Sequence, residues 1–305
     1  MKIFLTGVDG QLGFELARSL APLGDIFPST LSGRLPGGGQ GVALDLSDGA
    51  AIRRELDRIK PDVVVNPAAY TAVDKAESEP ELAQAINAKA PEHLAEWCSE
   101  RGALLLHYST DYVFPGNAER PWLEGDATAP LGVYGSSKLA GEQAIRDSAC
   151  RHLILRSAWV YSARFANFLL TMLRVGGERD QLRVVADQVG TPTTARGLAE
   201  VSAALLARRA SLSPEQLGTF HCTHAGQTSW HGFAEAIFDQ AMLAGLLQKR
   251  PLVEAISSAD YPTPAQRPAY SVLDNSRLAH CHGLALPDWR IGLAHVIGEL
   301  ATRYP

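Results

Sequence analysis

Short apolar runs rich in β-branched residues alternate with longer amphipathic stretches through the first half of the chain. Ile3-Phe4-Leu5 precedes a helical pattern from Gln11 to Leu20, and Asp25 to Phe27 reads as a second strand. Gly41-Val42-Ala43-Leu44-Asp45 leads into a helical stretch from Ala50 to Ile59, followed by Asp62-Val63-Val64-Val65-Asn66. A helix is expected over Glu81 to Arg101, then the run Ala103-Leu104-Leu105-Leu106-His107. Another helix follows Gly135, and Leu153-Ile154-Leu155 and Val184-Val185 close the series. Near-continuous apolar strands separated by helices predict an α/β fold, a Rossmann-type doubly wound parallel sheet covered on both faces. Past about residue 188 the rhythm loosens, punctuated by Thr191-Pro192-Thr193, Tyr261-Pro262-Thr263-Pro264 and Arg267-Pro268. This predicts a smaller mixed α/β C-terminal lobe, with a ligand in the cleft at the carboxyl ends of the strands.

Composition narrows the partners. The 305 residues are 46% hydrophobic and 20% charged, which excludes a disordered or fibrous chain. A formal net charge of −5 argues against nucleic acid, whose ligands usually carry a basic surplus. No apolar run approaches the roughly 18 residues of a membrane span, and the opening Met1 to Gly7 is too short for a secretion signal. Cys98, Cys150, Cys222 and Cys281 are widely spaced and read as reduced thiols. A cytoplasmic protein with no membrane partner is expected.

Gly7-x-x-Gly10-x-x-Gly13 stands between the first strand and the first helix. Glycines there permit a tight turn and close approach of the backbone to a pyrophosphate, while the helix presents its N-terminal amides. No carboxylate ends the second strand to bind a ribose diol; Ser29, Thr30, Ser32 and Arg34 stand there instead. Hydroxyls and a guanidinium suit a 2′-phosphate, so NADPH is expected as cofactor, with NADH still admitted. Tyr134 and Lys138 are four apart, which places them on one helical face. A neighbouring ammonium is expected to draw the phenol down toward the working range of an acid. Thr110 follows an apolar strand, at a rim where its hydroxyl could meet a substrate carbonyl oxygen.

This combination resembles the extended short-chain dehydrogenase/reductase superfamily, whose catalytic trio maps onto Thr110, Tyr134 and Lys138. Within it the sequence is similar to the dTDP-4-dehydrorhamnose reductase family over nearly its whole length. Gly10-Gln11-Leu12-Gly13, the stretch Val65 to Glu77, His107 to Phe114, Leu155 to Tyr161, Asp187 to Thr193, and Arg267-Pro268 before Leu273-Asp274 carry the likeness. It implies cofactor contacts from Gly10, Gln11 and Leu12, from Asp45 and Leu46, from Ala69, Tyr70 and Thr71, and from Tyr108, Tyr134 and Lys138. It implies contacts to a sugar nucleotide from Thr110, Asp111, Trp159 and Arg267. The implied reaction is NAD(P)H-dependent reduction of the C4 keto group of dTDP-4-dehydro-L-rhamnose to dTDP-L-rhamnose, a precursor of bacterial envelope glycans. Residues 1–160 would mainly bind the cofactor and 161–305 mainly the sugar nucleotide, some segments crossing back. Some family members dimerise around magnesium held by acidic residues. Glu15 fits that picture, but Arg196 stands where a second carboxylate is sought, so no metal is assigned and a homodimer stays open.

Rival functions make different demands on these residues. A dehydratase of the superfamily follows its threonine with an Asp-Glu pair, whereas Tyr112 follows Asp111 here. An epimerase retains its NAD, and a reductase forming dTDP-6-deoxy-L-talose differs only in the carbonyl face it reduces. A non-catalytic regulatory subunit would have eroded the trio. His221-Cys222-x-His224 and His280-Cys281-His282 are read as strand-end or loop packing, not metal ligands. Trp230, Phe233, Ile237 and Phe238 follow helical spacing and are expected in the core, and Asp74, Lys75, Glu77 and Glu79 read as a solvated helix start.

Overall fold

The computed structural model describes residues 1–303. From the amino end, β1 (Lys2–Leu5), α1 (Gln11–Leu20), β2 (Asp25–Thr30), β3 (Val42–Ala43), α2 (Gly49–Ile59) and β4 (Val63–Asn66) alternate as their hydrophobic periods dictate. Short α3 (Val73–Ala76) and α4 (Pro80–Gln84) follow, then α5 (Ala90–Arg101), β5 (Leu104–Thr110), α6 (Val133–Asp147) and β6 (Arg151–Ser157). Next come β7 (Val160–Tyr161), α7 (Phe168–Glu178), β8 (Gln181–Val185), β9 (Val189–Gly190), β10 (Thr193–Thr194) and α8 (Ala195–Ala207). β11 (Gly218–His221), β12 (Thr228–Ser229), α9 (Trp230–Leu243), β13 (Leu252–Ile256), α10 (Ser276–His282) and α11 (Trp289–Arg303) complete the chain.

Seven strands form one sheet in the order β11-β6-β5-β4-β1-β2-β3, every pairing parallel. The chain winds outward from β1 to β3, then returns to β4 on the other side of β1. That reversal opens a crevice at the carboxyl ends of β1 and β4. One face of the sheet packs on α1, α8 and α10 through Leu16, Leu198, Leu205 and Leu278; the other packs on α2, α5 and α6 through Ile52, Leu94 and Ile145. Each such fully buried aliphatic side chain contributes about 1.5–3 kcal/mol of hydrophobic stabilisation. The smaller lobe gathers α7, α9 and α11 around Leu169, Phe233, Ile237, Trp289 and Ile297, beside the parallel β8–β13 pair.

Local patterns and structure diverge at four places. The helix expected over Glu81–Arg101 is interrupted by a π-helical turn at Ala85–Lys89. Pro91 has no N–H to offer Asn87, so the regular ladder cannot pass this point. β2 continues past Phe27 to Thr30, which buries Ser29 inside the strand, whereas the strand expected over Gly41–Asp45 shrinks to Val42–Ala43 at the sheet edge. His280-Cys281-His282 is the last turn of α10. The elements α8, β11 and α10 pack on the larger lobe although they follow the first elements of the smaller one.

Candidate active site

The turn between β1 and α1 is built without side chains because none would fit. Gly7 has φ +57°, and a Cβ on Gly13 would overlap the Gly7 carbonyl and the Val8 Cα. α1 therefore approaches the turn closely, and its first amides face outward with no acidic residue in the first turn. This is a cradle for an anionic group, and the residues fit a dinucleotide pyrophosphate.

Gly7, Gly10, Gln11, Leu12 and Gly13 line a cleft of 490 Å³ together with Ala69, Thr71, Tyr108, Tyr134 and Lys138. The other expected cofactor residues lie outside it. Ser29 is buried at the end of β2, where its carbonyl accepts from the Val8 amide at 3.2 Å. Arg34 is exposed on a small hairpin closed by its bridge to Gln40. Asp45 accepts from the Ser47 amide and hydroxyl, and Leu46 packs half-buried against the hydrophobic cluster on the α2 face of the sheet. Tyr70 is turned away, its hydroxyl donating to Glu79 at 2.7 Å.

α6 brings Tyr134 and Lys138 into the cleft. Lys138 is buried, and its Nζ donates to the Tyr108 carbonyl at 2.6 Å and meets His107 Nε2 at 3.2 Å. Burial lowers its pKa to about 8 despite the opposing pull of Glu142. The Tyr134 phenol does not behave as its spacing suggested. Burial drives it up to about 12, a hydrogen bond with Thr110 restrains the rise, and the Asp111 charge adds to it. Lys138 Nζ bonds to Tyr108 and His107 rather than to the phenol, whose rise is set by its burial. A phenol held protonated is suited to giving a proton, not to taking one.

Thr110 caps the turn Asp111–Val113, accepting from the Tyr112 amide at 3.2 Å and donating to Asp111 Oδ1 at 3.0 Å. Burial raises Asp111 to about 6, against hydrogen bonds from Ser271, Thr110 and the turn's amides. Trp159 sits at φ +46° with one face stacked on Trp230, ring centroids 3.6 Å apart. Arg267 forms a two-pronged pair with Asp74, at 3.0 and 2.8 Å, and lines a separate 330 Å³ hollow with Phe168, Trp230 and Tyr261.

Several participants carried no signal of their own in the sequence. The charged segment after β4 is a solvated helix start only in part: Lys75 is exposed, but its acidic members are engaged. Asp74 holds Arg267, Glu77 Oε1 accepts from the Val133 amide at 2.8 Å and so caps α6, and Glu79 receives Tyr70. Asn87, buried in the π turn, accepts from the Tyr70 amide and donates to the Tyr70 carbonyl and to Ser137, fastening the Ala69–Thr71 loop to α6. Glu142 lies two turns beyond Tyr134 on the same face. Burial would raise its carboxyl, but Arg156, with Ser109 and Arg146, more than offsets this and holds it ionised. Gln11 ties the cradle to the 160–167 segment, its Oε1 accepting from Ser162 at 3.0 Å and from Asn167 at 2.9 Å.

Comparison with known proteins agrees with this geometry. A family model described as "RmlD substrate binding domain" matches residues 1–302. The chain belongs to the RmlD family. The dTDP-4-dehydrorhamnose reductase of Shigella flexneri is 45% identical over 302 residues, covering 99% of each chain. The solved structure of a dTDP-4-dehydrorhamnose reductase from Clostridium acetobutylicum superimposes with a TM-score of 0.88 at 37% identity, covering 98% of this chain and 99% of that one. A dTDP-4-dehydrorhamnose reductase from Bacillus anthracis, solved in complex with NADP, gives 0.87 at 34% identity with the same coverage. The RmlD relatives thus span both lobes and not the dinucleotide-binding sheet alone.

Proposed function

We propose that this chain is a dTDP-4-dehydrorhamnose reductase, an oxidoreductase that uses NADPH in dTDP-L-rhamnose formation. The observation that carries the reading is the sharing of one cleft by the glycine cradle, Tyr134 and Lys138. Gly10, Gln11, Leu12, Ala69 and Thr71 hold the dinucleotide, which when bound supplies hydride to the C4 carbonyl carbon. Tyr134 passes its proton to the carbonyl oxygen, and Thr110 hydrogen-bonds that oxygen as negative charge develops. Lys138 directs its remaining N–H into the cleft, where its charge favours the phenolate that Tyr134 becomes. Asp111 and Trp159 flank the sugar, and Arg267 faces the nucleotide. Ser29 and Arg34 lie on the β2 side of the cradle, where a 2′-phosphate would be met.

The four cysteines are free thiols, in keeping with action in the cytoplasm, and among the described residues no helix is long and apolar enough to cross a membrane. The test is incubation with dTDP-4-dehydro-L-rhamnose and NADPH, followed at 340 nm (the absorbance band of the reduced nicotinamide) with product analysis by NMR. Stoichiometric NADPH loss with dTDP-L-rhamnose as product is expected. A talo-configured product, or no oxidation, overturns the reading.

A further inference from the structure

A row of buried polar groups crosses the carboxyl ends of three adjacent strands. Thr6, directly after β1, donates from Oγ1 to Asn66 Oδ1 at 2.7 Å; Asn66 at the end of β4 faces His107 Nδ1 at 3.1 Å; His107 on β5 meets Lys138 Nζ through Nε2 at 3.2 Å. Asn66 and His107 are register partners, so the row follows from strand pairing. All four side chains are at most 2% exposed. At its far end Thr6 Oγ1 accepts from the Ala68 amide at 3.3 Å, and Ala68 abuts Gly7 in the cradle.

We propose that His107 is a positioning residue for the reduction: it is the middle of a buried string, Thr6–Asn66–His107–Lys138, that fixes the lysine relative to the phosphate cradle. The inference rests on the function proposed above only in taking Lys138 as the ammonium beside the acid. An ammonium has three N–H donors. Two are consumed by Tyr108 and His107, so the third is aimed into the cleft. The string holds and does not conduct protons, because it ends at fully buried Thr6.

A charged lysine can only donate, so His107 Nε2 must be bare and its single proton must sit on Nδ1. Asn66 then offers its amide oxygen to the ring, a half-turn from the orientation with Nδ2 toward Nδ1, and its Nδ2 donates to Thr6 Oγ1, reversing the direction of that bond while every atomic position is kept. The titratable and charged groups facing Lys138 are Tyr134 and Glu142 on its own helix, Asp111 beyond Tyr134, and Arg156 of β6 behind Glu142; burial and Lys138 keep His107 itself neutral.

The test compares His107→Leu with His107→Gln, which restores an acceptor, in the full-length enzyme. His107→Leu is expected to lower kcat about 10- to 100-fold with the sugar-nucleotide KM within about threefold, and His107→Gln to recover most of the loss. Removing an acceptor of the ammonium disfavours its charged form, so the alkaline limb of the kcat–pH profile moves to lower pH in His107→Leu and returns in His107→Gln. A folded His107→Leu with kcat within about twofold of wild type and an unmoved limb overturns the proposal. A second measurement needs neither variant nor turnover. Nitrogen-15 NMR of histidine-labelled wild-type protein should show Nδ1 protonated and Nε2 bare at neutral pH. A proton on Nε2 overturns the proposal while leaving the reductase reading intact; absence of ketone reduction by the wild type removes that reading while the tautomer result stands.

Discussion

Asp111 costs the fold stability at neutral pH, and Asp111→Asn should recover it. Burial lifts this carboxyl from the usual 3.8 to about 6. A raised acid holds its proton more tightly when folded, so its contribution is most favourable below about pH 4 and is lost as pH climbs through about 6. A shift of about two units corresponds to roughly 3 kcal/mol at full ionisation, since one unit is about 1.4 kcal/mol. Asparagine keeps the shape and an oxygen for Thr110 but cannot ionise. Urea denaturation of wild type and Asp111→Asn at about pH 4.5 and about pH 8 isolates this group, because all others cancel in the difference. The variant should gain by about 2 kcal/mol more at the higher pH than at the lower. An equal gap at both values would mean that Asp111 titrates like an exposed carboxylate, and the burial argument would fail. Stability gained at such a position is expected to come with impaired turnover, as carboxylates kept in poor surroundings usually serve the substrate.

Tyr134→Phe removes the proton donor and should lower kcat about 10²- to 10⁴-fold while NADPH still binds, as titration of nicotinamide fluorescence would show. Gly13→Ala places a methyl group against the Gly7 carbonyl, so NADPH should bind at least about tenfold more weakly, measured by calorimetry, although alanine favours the helix by about 1 kcal/mol. Glu142→Ala leaves the 3% exposed Arg156 without its two-pronged partner and should cost about 3–5 kcal/mol in denaturant unfolding. Turnover at saturating substrate should fall as pH rises past about 8, where Lys138 loses its proton, and Lys138→Arg should carry that limb upward.

The parts of this protein legible in the sequence are those whose physics is local. The Val63–Val65 and Leu104–Leu106 runs announce strands buried on both faces, the glycine spacing announces a close turn, and Tyr134 and Lys138 announce one helical face. What escapes is set by register and long-range pairing. Gly218-Thr219-Phe220-His221 is too short to show that it becomes the outermost strand beside β6. Thr6, Asn66 and His107 are three unrelated polar residues until pairing sets them in a row. Glu77 reads as one more surface charge until the α6 amides arrive above it. The π turn leaves no trace in the apolar period, and only Pro91 hints at it.

The repeated return of the chain to the sheet constrains how the lobes can move. The connections after β6, before α8, after β11, and on both sides of α10 all pass between them, and Gln11 adds a side-chain strut. A wide opening about one pivot would require all these strands of polypeptide to flex in concert. Discrimination among nucleotide sugars therefore falls to a nearly preformed mould, and altered specificity should be sought by reshaping its walls rather than by loosening a hinge.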